Sequence, residues 1–538
     1  MILYRNARIF TAAEPAWAES MVVDDGRLLF VGDDAAAAAH APGADAVDLD
    51  GAFVLPGFID AHTHLVPFGE SLGHVDLMGT QNLDEIAARV TAAAAADPDA
   101  SRIMGRNWLA TSIPGRIPDR HMIDEWESER PVYLDAFDSH SMWVNTAALR
   151  ELGIDDETPD PIGGRIARDP ETGVATGMLY ETASLQLATE FLTSTVTDDD
   201  RDRALRLAFS RYLASGVTAA VDMALRQADL ECLERQLDRG NGTLPMRIAA
   251  HWFVDLCETE AENLAQVRRA AELAERLDGP WLRVTGIKVM VDGVIDSCTA
   301  AMKAPYADGS HCGPIWSLEA LGPVVAAADA AGLQVAMHAI GDEASDIALS
   351  AIEHAHAVNG PRARRHRIEH LETVTPENIR RLAGLGVVAS MQPVHADPAL
   401  AENWVAMLGD ERAERGMPWP EITSAGGVLA FGTDAPTAPH APLPNMYVAT
   451  TRCSALVPGL GPNIPEYALP LAEALAHGTK DAAFACRWDE LTGQLVAGKA
   501  ADFVVLDRNP FTGEEAELLT TNVTSTVVAG RTASVELG

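Results

Sequence analysis

Apolar positions in this chain fall into short runs with two kinds of spacing. Between residues 53 and 433, β-branched runs alternate with alanine-rich stretches whose apolar residues recur at helical intervals. Eight runs predict strands: 53–59, 217–223, 246–254, 283–291, 333–338, 366–370, 386–391 and 428–433. Strand and amphipathic helix in alternation is the pattern of βα units around a parallel sheet. Eight such units predict an α/β protein with a (β/α)₈ TIM barrel, whose chemistry sits at the C-terminal strand ends. The stretch between the first and second runs is too long for one helix, so residues 70–215 are expected to form an inserted subdomain after the first barrel strand. Its predicted elements include a strand at Pro131-Val132-Tyr133-Leu134 and a turn at Gly163-Gly164-Arg165.

Residues 1–52 read differently, as short strands separated by turns, and residues 501–507 and 523–528 repeat that style. Chain termini often lie close together, so the two β-rich ends predict one small sheet domain. The expected organisation is 1–52 plus 485–538 for that domain, 53–69 plus 216–484 for the barrel, and 70–215 for the insertion.

With 538 residues, 47% of them hydrophobic, the chain is long enough for one large enzyme domain and a smaller one. The formal net charge of −38 argues against a basic face for nucleic acid or an anionic membrane. No apolar run approaches membrane-spanning length. The N-terminal ten residues resemble a strand and lack the apolar core of a signal peptide, which predicts a cytoplasmic protein. Six scattered cysteines without a CxxC pair point to thiols and not to a disulfide framework. Lysine occurs only at Lys288, Lys303, Lys480 and Lys499, while arginine carries almost all the positive charge.

Candidate chemistry begins at His62-Thr63-His64, after the apolar run 53–59. On an extended strand, residues two apart face one side, so both imidazoles are presented together to a borderline-soft metal such as zinc. Later strands end in further metal-competent groups: Lys288 in the fourth run, His338 in the fifth, His370 in the sixth and Asp434 after the eighth. Each alone has a plainer reading, such as a salt-bridged lysine, a loop histidine or a helix-capping aspartate. Six of them at the ends of the expected strands point to a metal site. His395, after the Gln392-Pro393 turn, is either a donor to a tetrahedral oxyanion or a polar loop histidine. In the insertion, His140 and Trp108 are candidate pocket residues, with plain packing the alternative for Trp108. Asp292, Asp342 and Glu369 are either orienting partners for ligands or turn and cap residues.

These motifs resemble the amidohydrolase superfamily and, within it, amidohydrolase family 3, the YtcJ-like group. The resemblance rests on residues 57–64, Gly286-Ile287-Lys288-Val289-Met290-Val291-Asp292-Gly293, 338–342, 365–370, 390–395 and 431–436. The inserted stretches 138–145 and 176–181 and the C-terminal 498–506 share that group's style. The resemblance implies a small β-sandwich built from both termini and one or two divalent metals, zinc among them, on the barrel. It implies that His62 and His64 bind the more buried metal, that N-carboxylated Lys288 bridges, that His338 and His370 bind the second metal and that Asp434 touches the first. A physical argument stands beside the lysine: burial lowers its pKa, the neutral amine reacts with CO₂, and arginine does neither.

The expected activity is hydrolysis of a non-peptide amide C–N bond, in an N-substituted formamide or other small N-acyl compound. A metal-activated hydroxide attacks and Asp434 carries the proton. The alternatives are a cyclic-amide hydrolase or a deaminase on the same scaffold, and, in another class, a metal-storing or scaffold protein. A small-molecule amide is the expected partner, in a homodimer.

Overall fold

The computed structural model describes residues 1–108, 113, 118–136, 141–161 and 164–533. The chain divides into two compact units, Met1–Leu65 with Phe209–Gly538, and Val66–Ala208.

The first unit contains the barrel. Its strands are β1 (Phe58–Thr63), β2 (Val217–Leu225), β3 (Arg247–Phe253), β4 (Leu282–Met290), β5 (Gln334–Ala339), β6 (Arg367–His370), β7 (Val388–Met391) and β8 (Val428–Phe431). They pair in parallel, each with the next in sequence, in one eight-stranded sheet. Just beyond the ends of β8 and β1 the backbone bridges the gap: Asp434 N–H donates to the His62 carbonyl at 2.7 Å, and His64 N–H to the Ala435 carbonyl at 3.0 Å. Parallel strands covered by helices are buried on both faces and read as near-continuous apolar runs. That is why these segments stood out in the sequence. Small and branched side chains (Ile59, Ala61, Ala219, Val221, Ala336, Val388 and Ala430) form one buried cluster inside this sheet.

The apolar run expected as a single first strand, 53–59, is two strands in two sheets. Phe53–Pro56 pairs with Arg8–Ile9 and with Phe503–Leu506, in the terminal sheet domain. The barrel strand begins only at Phe58. The break falls at Pro56-Gly57, where proline offers no N–H to a ladder. A Cβ on Gly57 would meet the Thr218 side chain at 2.2 Å, so this corner requires glycine.

The terminal domain is a two-sheet structure built from both ends of the chain. One sheet has the order Arg27–Gly32, Ser20–Asp24, Ile2–Arg5, Asp45–Asp48. The other has the order Arg531–Thr532, Val523–Val528, Phe503–Leu506, Phe53–Pro56, Arg8–Phe10, Trp17–Ala18. Tyr4, Ile9, Met21, Leu28, Val54, Phe503, Val505 and Val527 share its core. A buried ion pair ties it to the barrel: Arg247 Nε donates to Asp502 Oδ2 at 2.8 Å, both side chains being almost inaccessible.

The second unit is a mixed six-stranded sheet, in the order Gly164–Arg168, Ala175–Glu181, Ser141–Val144, Val132–Ala136, Ile103–Trp108, Val75–Asp76. The predicted strand at 131–134 is its Val132–Ala136 member. Its boundaries, Val66 and Ala208, lie a few residues before those expected for the insertion. Among the described residues, no helix is long and apolar enough to cross a membrane.

Candidate metal centre

Alternation along β5 through β8 sends Ala336 and His338, Arg367 and Glu369, Val388 and Ser390, and Ala430 and Gly432 into the barrel. In β1 alternation alone does not deliver His62. Asp60 is engaged elsewhere, accepting hydrogen bonds from Thr433 and Tyr212. Between the pairs Asp60–Ala220 and Thr63–Asp222, β1 carries one residue more than β2. Such a bulge re-aims the chain, and His62 joins the interior cluster although Asp60 does not. Gly432 on β8 leaves room for it: a Cβ there would lie 2.5 Å from the His62 nitrogen. Two further ligand candidates have left-handed backbone, His370 at φ 74° and Asp434 at φ 61°. This conformation is costly for residues other than glycine and gathers at functional sites.

The structure brings the predicted residues together. His62 Nε2 and His64 Nε2 lie 3.4 and 3.1 Å from Asp434 Oδ1. The His62 and His370 rings are 4.9 Å apart, His370 and His338 4.5 Å, and His370 stacks on His395 at 5.9 Å. Lys288 is 1% exposed, and its charge acts on His62, His338 and His370.

Protonation suits these groups to a cation. Burial, helped by the Lys288 charge, lowers His62 to about 4 and His338 to about 3, and burial likewise lowers His370, so neutral imidazoles line the site at pH 7. Burial lowers Lys288 to about 8 against the opposing pull of Glu369 and Asp434. Burial alone would raise Asp434, but His62, His64 and His370 outweigh it and hold this carboxyl well below the usual range. His395 runs the other way: burial lowers it, yet Glu372, Asp434 and Asp296 together raise it.

Partners fix which imidazole nitrogen faces inward. An ionised carboxylate only accepts, so His62 Nδ1–H donates to Glu369 Oε2 at 2.7 Å and Nε2 keeps its lone pair. Glu369 is gripped by Arg367, whose Nε and Nη2 donate to its two oxygens at 2.5 and 2.9 Å. Arg367 also donates to the Ala61 carbonyl and to Ser390 Oγ. His338 Nε2–H donates to the Gly293 carbonyl at 3.1 Å, which turns Nδ1 the other way.

Three ligand-candidate residues each carry a buried atom with no hydrogen-bond partner, His62 Nε2, His370 Nδ1 and Asp434 Oδ1, and Arg367 Nη1 behind them has none either. Buried polar atoms left unpaired are costly, and the first three belong to the residues read as ligands. Ligand atoms of His62, His64 and Asp434 all lie within 4.8 Å of one another, as do those of His370, His395 and Asp434. Nitrogen and oxygen ligands about 2.0–2.1 Å from a tetrahedral zinc stand about 3.4 Å apart, close to the 3.1 and 3.4 Å found here. The residues fit a divalent cation.

The orienting role weighed for Glu369 is the one its contacts show. Asp292 accepts from the backbone N–H groups of Ala301, Ile340 and Gly341, and its Oδ1 is 3.6 Å from His338 Nε2. Asp342 accepts from Lys303 N–H in the first turn of its helix, the turn reading. Trp108 is a core residue of the second unit. Its indole N–H donates to the Leu134 carbonyl at 3.0 Å and its ring meets Trp143 at 5.7 Å, so packing accounts for it in place of the pocket role. His140 lies outside the described residues. Sequence reasoning missed Arg367 and Glu372; the signal for Arg367 was its spacing of two from Glu369 on one strand.

Residues 45–533 match the family model described as Amidohydrolase family. The chain is similar to the protein LONG AFTER FAR-RED 3 of Arabidopsis thaliana, at 32% identity over 98% of this chain and 91% of that one. It is similar to an N-substituted formamide deformylase of Arthrobacter pascens, at 29% identity over 98% and 97%. Among solved structures it is similar to an uncharacterized metal-dependent hydrolase from Pyrococcus furiosus. The TM-score is 0.77 at 27% identity, covering 95% of this chain and all of the other.

Proposed function

The chain belongs to the amidohydrolase family, and on that premise we propose that it hydrolyses a non-peptide amide C–N bond in a small N-acyl compound, an N-substituted formamide being the favoured class. The observation that carries this reading is the set of unpartnered, inward-facing atoms on His62, His370 and Asp434 beside a buried lysine. The formamide class is supported by the relative from Arthrobacter pascens.

His62, His64 and Asp434 are placed to hold one divalent cation, taken here as zinc, and His338 and His370 to hold a second. When bound, such a cation acidifies water and polarises a carbonyl. Lys288, once carboxylated, would supply carbamate oxygens to these cations. With its pKa near 8, part of the amine is neutral at pH 7. The Nζ lone pair bonds to the carbon of CO₂, one C=O π pair moves onto oxygen, and the nitrogen gives one proton to water. Asp434 takes a proton from the water that attacks the substrate carbonyl carbon, then returns it to the departing nitrogen. A C–O bond forms and the C–N bond breaks, giving carboxylic acid and amine. His395, whose pKa Glu372 and Asp434 raise against the effect of burial, donates to the carbonyl oxygen as that atom gains charge. A homodimer completes the proposal, on the strength of the group resemblance.

Metal analysis followed by a panel of small amides tests it. Bound divalent metal with release of a free amine is the expected result. Ammonia release from an amino-substituted ring would replace the reading with deamination, and metal without turnover of any amide would remove the hydrolase role.

A further inference from the structure

Among the described residues, Gln392 is the one side chain with two buried, unpartnered polar atoms, Nε2 and Oε1, and the residue has no exposed surface. A primary amide offers donors and an acceptor. A methionine or leucine would fill the same volume without leaving such groups unpaired.

Its direction follows from the strand. Val388 belongs to the cluster inside the barrel, and Ser390 Oγ accepts from the interior guanidinium of Arg367. Gln392 has extended backbone, φ −118° and ψ 97°, so the alternation carries one step further and turns it inward as well. Its level follows from register. Met391 pairs with Phe431, which sets Gln392 beside Gly432, and Gly432 abuts His62. The unpaired amide therefore faces the same space as the unpaired atoms of His62, His370 and Asp434.

We propose that Gln392 reads the substrate's amide group. Its Oε1 accepts from the substrate N–H, the hydrogen that N-methylation removes. This assignment rests on the hydrolase reading above and narrows it: the preferred substrates are acyl compounds whose nitrogen keeps a hydrogen, and N-methylated analogues are rejected.

The test compares N-hexylformamide with N-hexyl-N-methylformamide on the metal-loaded enzyme. The wild type is compared with Gln392→Leu and Gln392→Met, each checked for metal content and circular dichroism. Wild type should favour the N–H amide in kcat/KM by roughly 10–100-fold, the loss expected when a buried group is left unpaired. In both variants the ratio should fall to within about threefold, with metal content unchanged; if the leucine variant does not fold, the methionine variant carries the comparison. An unchanged ratio in the variants overturns the proposal, as it would if an ordered water served the amide. Binding of the same pair is also followed by saturation-transfer NMR, which needs no turnover. A wild-type binding preference that Gln392→Met removes keeps the Gln392 assignment even if neither amide is cleaved, and in that case the hydrolase reading alone falls. Absence of any preference in the wild type, in binding or in turnover, removes the Gln392 assignment whatever the reaction.

Discussion

Replacing Glu369 by Gln keeps the heavy-atom count and removes one buried charge, so it isolates the Arg367–Glu369–His62 chain. In the native protein the carboxylate accepts from His62 Nδ1 at 2.7 Å and from Arg367 at 2.5 and 2.9 Å. Burial favours the neutral acid, yet Arg367 and His62 together hold Glu369 well below the usual range, so the anion is the resident form. A hydrogen bond to a charged group contributes about 1.5–3 kcal/mol. Losing that charge loosens His62 and lowers the basicity of its Nε2. At about 1.4 kcal/mol per factor of ten, metal affinity should fall by about 10–100-fold. The assay is competition for zinc against a fluorescent chelator, on protein whose circular dichroism matches wild type. The variant also leaves the Arg367 guanidinium buried without its counter-ion, a loss of about 3–5 kcal/mol. Arg367→Met with Glu369→Gln therefore serves as the control: it should recover thermal stability and leave metal affinity low. A Glu369→Gln protein that is folded and binds zinc at wild-type strength refutes the orienting role.

Asp434→Asn should lower kcat by at least about 100-fold, the scale of a lost general acid–base group; a folded, metal-loaded variant at full rate would end the proton-shuttle assignment. Metal affinity of the wild type should rise with added bicarbonate, and Lys288→Met should bind metal weakly and without that dependence; equal affinity in CO₂-free and bicarbonate buffer counts against the carbamate. Asp329 accepts from Arg364 at 2.7 and 2.9 Å and is lowered from 3.8 to about 2, burial opposing and Arg364 with Asn359 prevailing. A depressed carboxylate contributes stability above its ordinary pKa and loses it as pH falls toward the folded value, so Asp329→Asn should cost about 2 kcal/mol at pH 7. The gap in melting temperature between the two proteins should narrow as pH drops from 4 toward 2, and a gap that is constant or grows on acidification contradicts the assignment.

What the sequence showed and what it hid separate along one line. Local period and strand-end chemistry were legible, because a buried parallel strand is an apolar run and a ligand at its end is a polar interruption. His338, next to last on β5, and His370, ending β6, are such cases. The run 53–59 was read as one strand because both halves are buried; their separation depends on partners 45 and 451 residues away, Ile9 and Val505 for Val54. The bulge that frees His62 from the fate of Asp60 is likewise a property of the β1–β2 pair and not of either segment. His370 shows a third limit: it follows Glu369 on β6, and simple alternation would turn it away from the site. The left-handed backbone at His370 and Leu371 supplies the turn, and nothing in the residue types announced it.

Charge balance explains why Lys288 and the metals belong to one argument. Four buried groups here balance one another: with the three lowered histidines neutral, Arg367 and a Lys288 ammonium offset Glu369 and Asp434. Buried charges are tolerated when paired, so within this set the protonated lysine is matched. Converting that ammonium to a carbamate changes the sum by two negative charges. In a buried site such an imbalance is expensive unless a divalent cation enters with it. On the proposed reading, carbamate formation and cation uptake would favour each other by linkage, each raising the affinity for the other. The scarcity of lysine elsewhere takes on physical sense at this one position: an arginine would hold the site in its cation-free balance permanently, whereas a lysine lowered to about 8 can leave it.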